Sequence, residues 1–428
     1  MPTCFSGFLR HALVHNVLAL YGVNIANYFF PLITVPYLAR VLGPEEWGMV
    51  AFAQAFGQYI NLVVEYGFDL SATREVARTR DSLERRADLI AGVLGAKVVL
   101  ASIVLGVVFV ICHWVPPFRE HSKVLWAGVF WALAMAFTLR WYFQGLERMR
   151  LVAVLDVSAK ALAVLGILLL VQGPKDGWKV LVLQGVGSLA ATLMTFVFAY
   201  REVPVRLLNW GKVTEVLRLG WTMFLFRSSV SLYSVGNSFV LGLFAPPQVV
   251  AYYAGAEKIS KAFLGFLGPI TQALYPRLSY LAQSSRHEAA RLARIGVIVM
   301  ALSGAFTGLV IFVSASLLVR ILLGEGYDAA VGVLRLLALL PPLIALSNVL
   351  GIQWMLPLGL DRPFNIIILV AGVLNLCLAV ILAPHFAELG MAWAVVVSEA
   401  FVTASMYLVL RRSDLDPITY TGKAKGDI

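Results

Sequence analysis

Residues 87–113 read ADLIAGVLGAKVVLASIVLGVVFVICH, an almost unbroken apolar run. A helix needs about 20 apolar residues to cross a hydrocarbon core of roughly 30 Å, and this run is long enough. Lipid offers the backbone no water, so a spanning segment with this pattern must satisfy its own hydrogen bonds as a helix. We therefore predict a transmembrane helix here, with one lysine, Lys97, inside it.

The composition of the whole chain agrees with this interpretation. Of its 428 residues, 60% are hydrophobic and only 14% are charged. A soluble fold of this size would need far more polar surface than these residues provide. The sequence thus predicts an integral membrane protein.

Further apolar segments resemble residues 87–113 in length and composition. Together they predict an all-α, polytopic membrane protein with about twelve transmembrane helices. The predicted spans are 12–39, 46–70, 87–113, 122–142, 150–172, 178–200, 219–244, 249–274, 291–319, 328–350, 363–384 and 388–410.

The charged segment REVPVRLLNWGKVTEVLR, residues 201–218, divides these spans into two groups of six. It mixes basic residues with Leu, Val and Trp, which is typical of helices that lie on a membrane surface. We predict an N-terminal six-helix lobe (1–200), an amphipathic cytoplasmic linker (201–218), and a C-terminal six-helix lobe with a short cytoplasmic tail (219–428). Residues 41–56 also align weakly with 244–259, and six-helix repeats of this kind are typical of two-lobed transporters.

The distribution of lysine and arginine predicts the orientation of the helices. With a cytoplasmic N-terminus, the cytoplasmic segments hold 21 of these residues and the opposite segments hold 6. Short cytoplasmic loops are enriched in Lys and Arg. We therefore predict that both termini are cytoplasmic. The net charge of +10 is explained by this topology, and no nucleic-acid partner is expected.

The sequence contains no catalytic or metal-binding pattern. The six histidines lie near predicted helix ends or in loops without metal-ligand spacing, and the three cysteines are widely separated. A phosphate-binding loop of the G-x-x-x-x-G-K-[ST] type is absent. We expect no enzymatic activity, no cofactor and no ATPase within the chain, so transport is the simplest role.

Once the 21 and 6 residues assigned to the two membrane sides are set aside, seven of the 34 Lys and Arg residues remain within the predicted spans. A Lys or Arg at the centre of a membrane helix costs about 2.5–3.5 kcal/mol, so each needs a partner, water or a route to the interface. Arg140 and Arg335 are close enough to helix ends to reach the interface. The full set is Lys97, Arg140, Lys160, Arg227, Lys258, Lys261 and Arg335.

Two of these lysines follow an acidic residue by four positions, which is the spacing of an ion pair within one helix. The pairs are Asp156 with Lys160 and Glu257 with Lys261. Structural neutralisation explains both pairs. Asp156, Glu257 and the intramembrane Glu399 are also candidates for binding a coupling ion.

Arg227, Lys258 and Lys97 have no acidic residue three or four positions away on the same helix. One reading is a hydrated cavity that attracts an anion such as a phosphate or pyrophosphate. The other is pairing between helices, which a sequence does not reveal. The acidic residues available for such pairing are Glu65, Asp69 and Glu399.

Polar amide side chains also lie within the predicted spans. Asn24, Asn27 and Gln54 are on the first two spans, and Asn237 is on the seventh. These residues could hydrogen-bond a sugar, or they could join helices to one another, which is a common role of amides in membranes.

Several stretches resemble one family of transporters. The sequence is similar to the polysaccharide-synthesis and O-antigen flippases, the Wzx type within the MATE and MurJ-like superfamily. The stretches that carry the resemblance span nearly the whole chain: NYFFPLITVPYLARVLGPEEWGMVAFAQAF (27–56), YGFDLSATREVARTRD (66–81), WYFQGLERM (141–149), AYYAGAEKISKAF (251–263), YPRLS (275–279) and GMAWAVVVSEAFV (390–402).

The resemblance implies two six-helix bundles that form a V and open alternately to each side of a bacterial inner membrane. The implied cargo is an undecaprenyl-pyrophosphate-linked oligosaccharide repeat unit for O-antigen, capsule or exopolysaccharide assembly. The implied partners are this glycan, membrane lipids, and a separate glycan polymerase with its chain-length proteins. Arg227, Lys258 and Lys97 would then bind the pyrophosphate, while Asn24, Asn27, Gln54 and Asn237 would contact the sugar.

Three other functions are open to the same sequence. Lipid II flippases of the superfamily carry an Arg/Asp feature in the first helix, where this chain has Asn24 and Asn27. A multidrug exporter would be expected to have an acidic, cation-attracting cavity, which the basic residues inside the spans argue against. A membrane scaffold or enzyme of glycan assembly is disfavoured because the chain has no catalytic pattern.

Overall fold

The computed structural model describes the backbone of residues 3–418 apart from residues 115 and 235. Side chains are described from residue 29 to residue 418, except at 115–117, 226, 229–230, 232–235, 269–270 and 272–273. Within this part of the chain the secondary structure is helical and contains no β-strand. The predicted all-α fold is therefore confirmed.

Sixteen α-helices are present in the described residues. They are α1 (Thr3–Glu65), α2 (Phe68–Arg78), α3 (Leu83–Trp114), α4 (Pro116–Glu120), α5 (Ser122–Ala136), α6 (Arg140–Gly145), α7 (Met149–Leu170), α8 (Gly177–Tyr200), α9 (Trp210–Ser234), α10 (Asn237–Gly242), α11 (Pro247–Leu264), α12 (Gly268–Ser284), α13 (Arg286–Leu322), α14 (Ala329–Leu337), α15 (Leu340–Ser347) and α16 (Asp361–Arg412). Two 3₁₀ turns, Pro174–Asp176 and Gly265–Leu267, and one π-helical segment, Asn348–Met355, complete the set.

Seven of the described helical stretches are long and apolar enough to cross a membrane. They are Leu83–Trp114, Ser122–Gly145, Met149–Leu170, Pro174–Tyr200, Arg286–Leu322, Ala329–Met355 and Asp361–Arg412. The last contains two predicted spans, because its backbone breaks at Ala387, where φ is 48°. The protein is thus a multi-pass membrane protein. The other predicted spans fall on α1, on α9 and α10, and on α11 and α12.

The first helix is also broken, at Gly43. The backbone there has a φ of 71°, a left-handed conformation that glycine adopts without the penalty a side chain would bring. Pro44 follows directly, and the proline aligned with it in the internal repeat, Pro247, is the first residue of α11. Both prolines therefore stand at the start of a helix, where their missing N–H leaves no hydrogen bond unmade.

The chain divides into two compact units, residues 1–228 and 229–428. The division falls within α9, whereas the predicted lobe boundary was at the end of the 201–218 segment. In that segment a turn and a stretch without regular secondary structure precede α9, which begins at Trp210. The charged segment therefore consists of a short connection followed by the first turns of α9. Its location at the cytoplasmic membrane surface stays a prediction.

In the N-terminal unit, α2 and α6 pack together around buried aromatic residues. Phe68 and Val76 on α2 lie in one apolar cluster with Trp141 and Tyr142 on α6. The Thr73 hydroxyl lies 3.1 Å from the Trp141 carbonyl oxygen, to which it can donate. This packing fixes α2 against the body of the unit.

In the C-terminal unit, the residues after α16 fold back onto the helices. The Trp354 indole donates a hydrogen bond of 2.7 Å to the Leu415 carbonyl oxygen. Arg294 Nε donates to the Pro417 carbonyl oxygen at 3.3 Å, and the Asp416 side chain is buried. Residues 413–418 are therefore part of the folded unit.

Candidate functional site

Arg227 lies on α9, in the part of that helix that belongs to the N-terminal unit. Its guanidinium forms an ion pair with the Asp69 carboxylate on α2. The arginine side chain is still 46% exposed. A guanidinium has five N–H donors, so one carboxylate oxygen leaves donors available for a second anion. The structure thus supplies an interhelical partner, and the arginine also keeps a surface on which a ligand could bind.

Lys97 on α3 is fully buried, with 0% of its side chain exposed. Its ammonium donates a hydrogen bond of 2.6 Å to the Ala136 carbonyl oxygen and lies 3.8 Å from Glu65 Oε1. A buried cation is tolerated when charge and hydrogen bonds compensate it, and both are present here. These contacts favour the structural alternative for Lys97 over the predicted ligand role.

Lys258 lies on α11 in the C-terminal unit and is partly buried. Its ammonium is near both members of the Glu257–Lys261 ion pair, whose atoms are 3.0 Å apart. The fully buried Tyr253 places its hydroxyl beside Asn237 and Glu257. Asn237 is itself buried. This position favours a role for Asn237 in packing α10 onto α11 rather than in direct contact with a sugar.

The remaining acidic candidates have protein partners. Asp156 Oδ2 is 2.7 Å from Lys160 Nζ on the same helix, as the spacing predicted. Glu399 on α16 is buried and accepts a hydrogen bond of 2.6 Å from the Ser347 hydroxyl. None of the described basic side chains lies within ion-pair distance of Glu399. A coupling role for these carboxylates stays a prediction.

The structure describes the side chains of only some of the amide candidates on the first two spans. Gln54 Nε2 donates a hydrogen bond of 3.0 Å to Gln184 Oε1, which joins α1 to α8. This contact favours the second of the two roles considered for Gln54, that of joining one helix to another. The predicted ligands Asn24 and Asn27 lie outside the residues whose side chains the structure describes.

A buried charged cluster in the N-terminal unit was missed by the sequence reasoning. Arg86 is buried, donates to the Tyr142 hydroxyl at 3.0 Å and lies 3.8 Å from Glu202 Oε2. Glu202 also pairs with Arg148. Tyr142 and Arg148 both belong to the stretch WYFQGLERM (141–149). That stretch was the one sequence signal that could have indicated the cluster. The cluster ties three separate segments together, so we assign it a structural role.

The described residues hold no group of three His, Cys, Asp or Glu side chains that could bind a metal ion. The chemistry that the placed candidates offer is charge-assisted hydrogen bonding to an anion, above all at the half-exposed Arg227. Arg335, another predicted span cation, is exposed and lies over the Phe312 ring, 5.8 Å from its centroid. Arg140 is likewise exposed.

Comparison of the sequence with known proteins identifies a family. Residues 13–282 match the family described as "Polysaccharide biosynthesis protein". The chain is 33% identical over 407 residues to a protein of Escherichia coli K12 named "Putative O-antigen transporter", covering 94% of this chain and 98% of that protein. A Shigella dysenteriae protein of the same name is 30% identical, covering 91% and 98%.

Comparison of the fold leads to membrane transporters. The lipid II flippase MurJ in an inward closed conformation is similar with a TM-score of 0.68 at 12% identity, over 93% of this chain and 87% of that one. An inward-facing multidrug resistance MATE family transporter of the MOP superfamily gives a TM-score of 0.63 at 15% identity, over 95% and 100%. At these identities the likeness establishes the fold alone.

The sequence match covers well over half of the chain and the named relatives align with nearly all of it. Since these relatives are named as transporters, the chain is not an enzyme. The chain therefore belongs to the polysaccharide biosynthesis protein family.

Proposed function

We propose that the protein is a flippase that moves undecaprenyl-pyrophosphate-linked oligosaccharide repeat units across the bacterial inner membrane by alternating access. The glycan would serve O-antigen, capsule or exopolysaccharide assembly. The observation that carries this proposal is the relationship, along nearly the whole chain, to two proteins named as O-antigen transporters. The alignment covers 98% of each relative and includes both units of this chain.

The chemistry of such a cargo explains why a protein is needed. Its sugar and pyrophosphate would lose their hydration in the hydrocarbon core, at a cost of several kcal/mol for each unpaired polar group. The polyprenyl tail, in contrast, is soluble in lipid. A flippase therefore has to give the headgroup a polar path while the tail stays in the membrane.

The proposed headgroup ligands are Arg227 in the N-terminal unit and Lys258 in the C-terminal unit. The planar guanidinium of arginine matches the oxygens of a phosphate through paired hydrogen bonds. The exposed part of Arg227 supports this role, and the burial of Lys97 leads us to leave that residue out. Transport would follow if the loaded headgroup stabilises inward-open and outward-open states differently.

The proposed location and orientation rest on the charge distribution. The excess of Lys and Arg in alternate connecting segments favours cytoplasmic N- and C-termini. The flipped glycan would then pass to a separate polymerase, acting with its chain-length proteins, or to a ligase. Asp156, Glu257 and Glu399 are the proposed candidates for ion coupling.

A lipid II flippase or a multidrug exporter would have the same fold. The family assignment favours the polysaccharide cargo over both, because the sequence relationship is to polysaccharide proteins over residues 13–282. An accessible arginine also suits an anionic headgroup better than a cationic drug.

The test is complementation of bacterial strains that lack their own O-antigen, capsule or exopolysaccharide flippase and make repeat units of known sugars. We expect export of at least one repeat unit, measured as surface glycan. Arg227→Gln and Lys258→Gln should each lower export at least about tenfold, since a charge-assisted hydrogen bond contributes about 1.5–3 kcal/mol.

Lys212→Gln is the matched control, because Lys212 is a lysine of α9 that pairs with Glu215 at the helix surface. It should leave export unchanged. Rescue of a strain depleted of its lipid II flippase, or drug resistance without glycan export, would overturn the proposed cargo. Equal membrane levels of all variants, checked by immunoblot, exclude a folding defect.

A further inference from the structure

We propose that the turn between α1 and α2 is a positioning clamp for Arg227. The clamp consists of Tyr66, Gly67 and Asp69, and it holds the first part of α9 at a fixed place in the N-terminal unit. The inference rests on the proposed function, because Arg227 is its proposed headgroup ligand. Tyr66, Gly67 and Asp69 would act through Arg227 and would not touch the cargo themselves.

Gly67 brings the turn into direct contact with the backbone of α9. Its φ is 72°, a left-handed conformation that favours glycine. A Cβ built on Gly67 would lie 2.8 Å from Met223 Cβ and 2.9 Å from the Phe224 amide nitrogen. No side chain fits in that space without moving α9. The absence of a side chain is therefore what lets the two segments approach so closely.

Tyr66 adds an aromatic contact from the same turn. Its ring stacks on the Phe224 ring, with centroids 4.7 Å apart and planes 12° from parallel. It also lies against Gly220, where an added Cβ would be 3.0 Å from Tyr66 Cδ1. Stacked aromatic pairs contribute about 0.5–1.5 kcal/mol beyond the area they bury. This contact anchors α9 one turn before Arg227.

Asp69 completes the clamp at Arg227 itself. Its carboxylate pairs with the guanidinium, and none of the described residues donates a hydrogen bond to its other oxygen, Oδ1, which is buried. The arginine is thus the main compensation for a largely enclosed carboxylate. Asp69 stands in the first turn of α2, the helix that packs on α6. The ion pair therefore attaches Arg227 to a fixed part of the unit.

The contacted residues of α9 share one face of the helix. Gly220, Met223, Phe224 and Arg227 are separated by three, one and three positions, a spacing that repeats on one side of an α-helix. The N-terminal unit ends one residue after Arg227. The clamp therefore holds α9 up to the last residues that belong to this unit. In this way the α1–α2 turn determines the position of Arg227.

The first test compares Tyr66→Ala with Tyr66→Phe in the full-length protein in lipid nanodiscs. The probe is undecaprenyl pyrophosphate carrying one N-acetylglucosamine, and the readouts are its binding affinity and the melting temperature of the protein. We expect Tyr66→Ala to weaken probe binding about tenfold. Tyr66→Phe keeps the ring, so it should bind the probe as tightly as wild type. Equal affinity in Tyr66→Ala and wild type would overturn the clamp.

A charge swap tests whether probe binding requires the guanidinium on α9 or only an intact ion pair between α9 and α2. Asp69→Arg combined with Arg227→Asp restores an ion pair but moves the guanidinium to α2. We expect this double variant to recover membrane level and melting temperature relative to each single variant, while probe binding stays lost. The control swap, Lys212→Glu with Glu215→Lys on the same helix, should leave both readouts unchanged. Recovery of binding in the first swap would overturn the requirement for a cation placed on α9.

Arg227→Gln distinguishes a failure of the clamp from a failure of the proposed function. If Arg227→Gln binds the probe as well as wild type, the proposed headgroup ligand is wrong. If Arg227→Gln loses binding while Tyr66→Ala keeps it, the ligand stands and the clamp is wrong.

Discussion

At Lys97 and Arg227 the chain places a cation inside a predicted membrane span, and the two residues differ in how completely protein groups satisfy them. Lys97 is fully enclosed, with a carbonyl oxygen at 2.6 Å and the Glu65 carboxylate at 3.8 Å. Arg227 has Asp69 as its partner but is 46% exposed. Enclosure removes Lys97 from contact with a ligand, whereas exposure leaves Arg227 able to bind one.

This difference predicts the effect of removing the Lys97 charge. Lys97→Met should lower the free energy of unfolding by about 3 kcal/mol, because the Ala136 carbonyl oxygen and Glu65 lose their partner inside the unit. Thermal unfolding in detergent measures the loss. The double variant Lys97→Met with Glu65→Gln should recover part of it. A Lys97→Met protein as stable as wild type but unable to transport would contradict the structural role.

Local charge pairs could be assigned residue by residue from the sequence, whereas for the distant pairs it gave only the candidate partners Glu65, Asp69 and Glu399. Asp156 and Lys160 are four residues apart on one helix, so the periodicity of the helix alone brings them together. Arg227 and Asp69 meet because α9 crosses the α1–α2 turn. That crossing depends on the packing of separate elements, and no spacing along the chain records it.

At the scale of the helices, the spans predicted from uninterrupted apolar runs have nearly the same boundaries as the helices in the structure. The spans predicted at 150–172 and 178–200 correspond to α7, Met149–Leu170, and α8, Gly177–Tyr200. The span predicted at 249–274 is instead divided into α11, a 3₁₀ turn and α12. Hydropathy reports whether a segment suits lipid, but it does not report where the backbone changes direction inside an apolar segment.

The packing of α2 on α6 predicts a sharp difference between two glycines. A Cβ on Gly145 would lie 2.6 Å from Val76 Cβ and 2.8 Å from the Thr73 carbonyl oxygen, so Gly145→Ala should destabilise the protein by about 1–3 kcal/mol. For Gly106 on α3, no atom of the described residues lies within 4 Å of such a Cβ. Gly106→Ala should be neutral or stabilising by up to about 1 kcal/mol. Thermal unfolding of both variants checks this, and equal melting temperatures would contradict the close contact.

At the level of the whole molecule, the chain consists of two compact units joined through α9. Before α9, residues 204–209 have no regular secondary structure and are exposed, with Leu207 93% exposed. Exposed connections with few contacts tolerate a break in the backbone, whereas a packed helix does not. The exposed residues 204–209 are therefore a better place to divide the protein than the boundary between the two units.

Two coexpressed fragments test this difference. Fragments 1–205 and 206–428 should assemble and restore glycan export in the complementation strain, because the cut removes no helix and no contact of the α9 clamp. Fragments 1–220 and 221–428 should not, since that cut divides α9 beside Tyr66. Copurification of the fragments measures assembly. Export by both pairs, or by neither, would contradict the prediction.

The folded-back residues after α16 have a practical consequence for labelling the protein. Trp354 and Arg294 both donate hydrogen bonds to backbone oxygens of this segment, at Leu415 and Pro417. A fluorescent protein or affinity tag fused directly to Arg412 would remove those acceptors and leave the indole and guanidinium donors without them. A tag that begins after residue 418 keeps them, so it reports on the native transporter rather than on a weakened one.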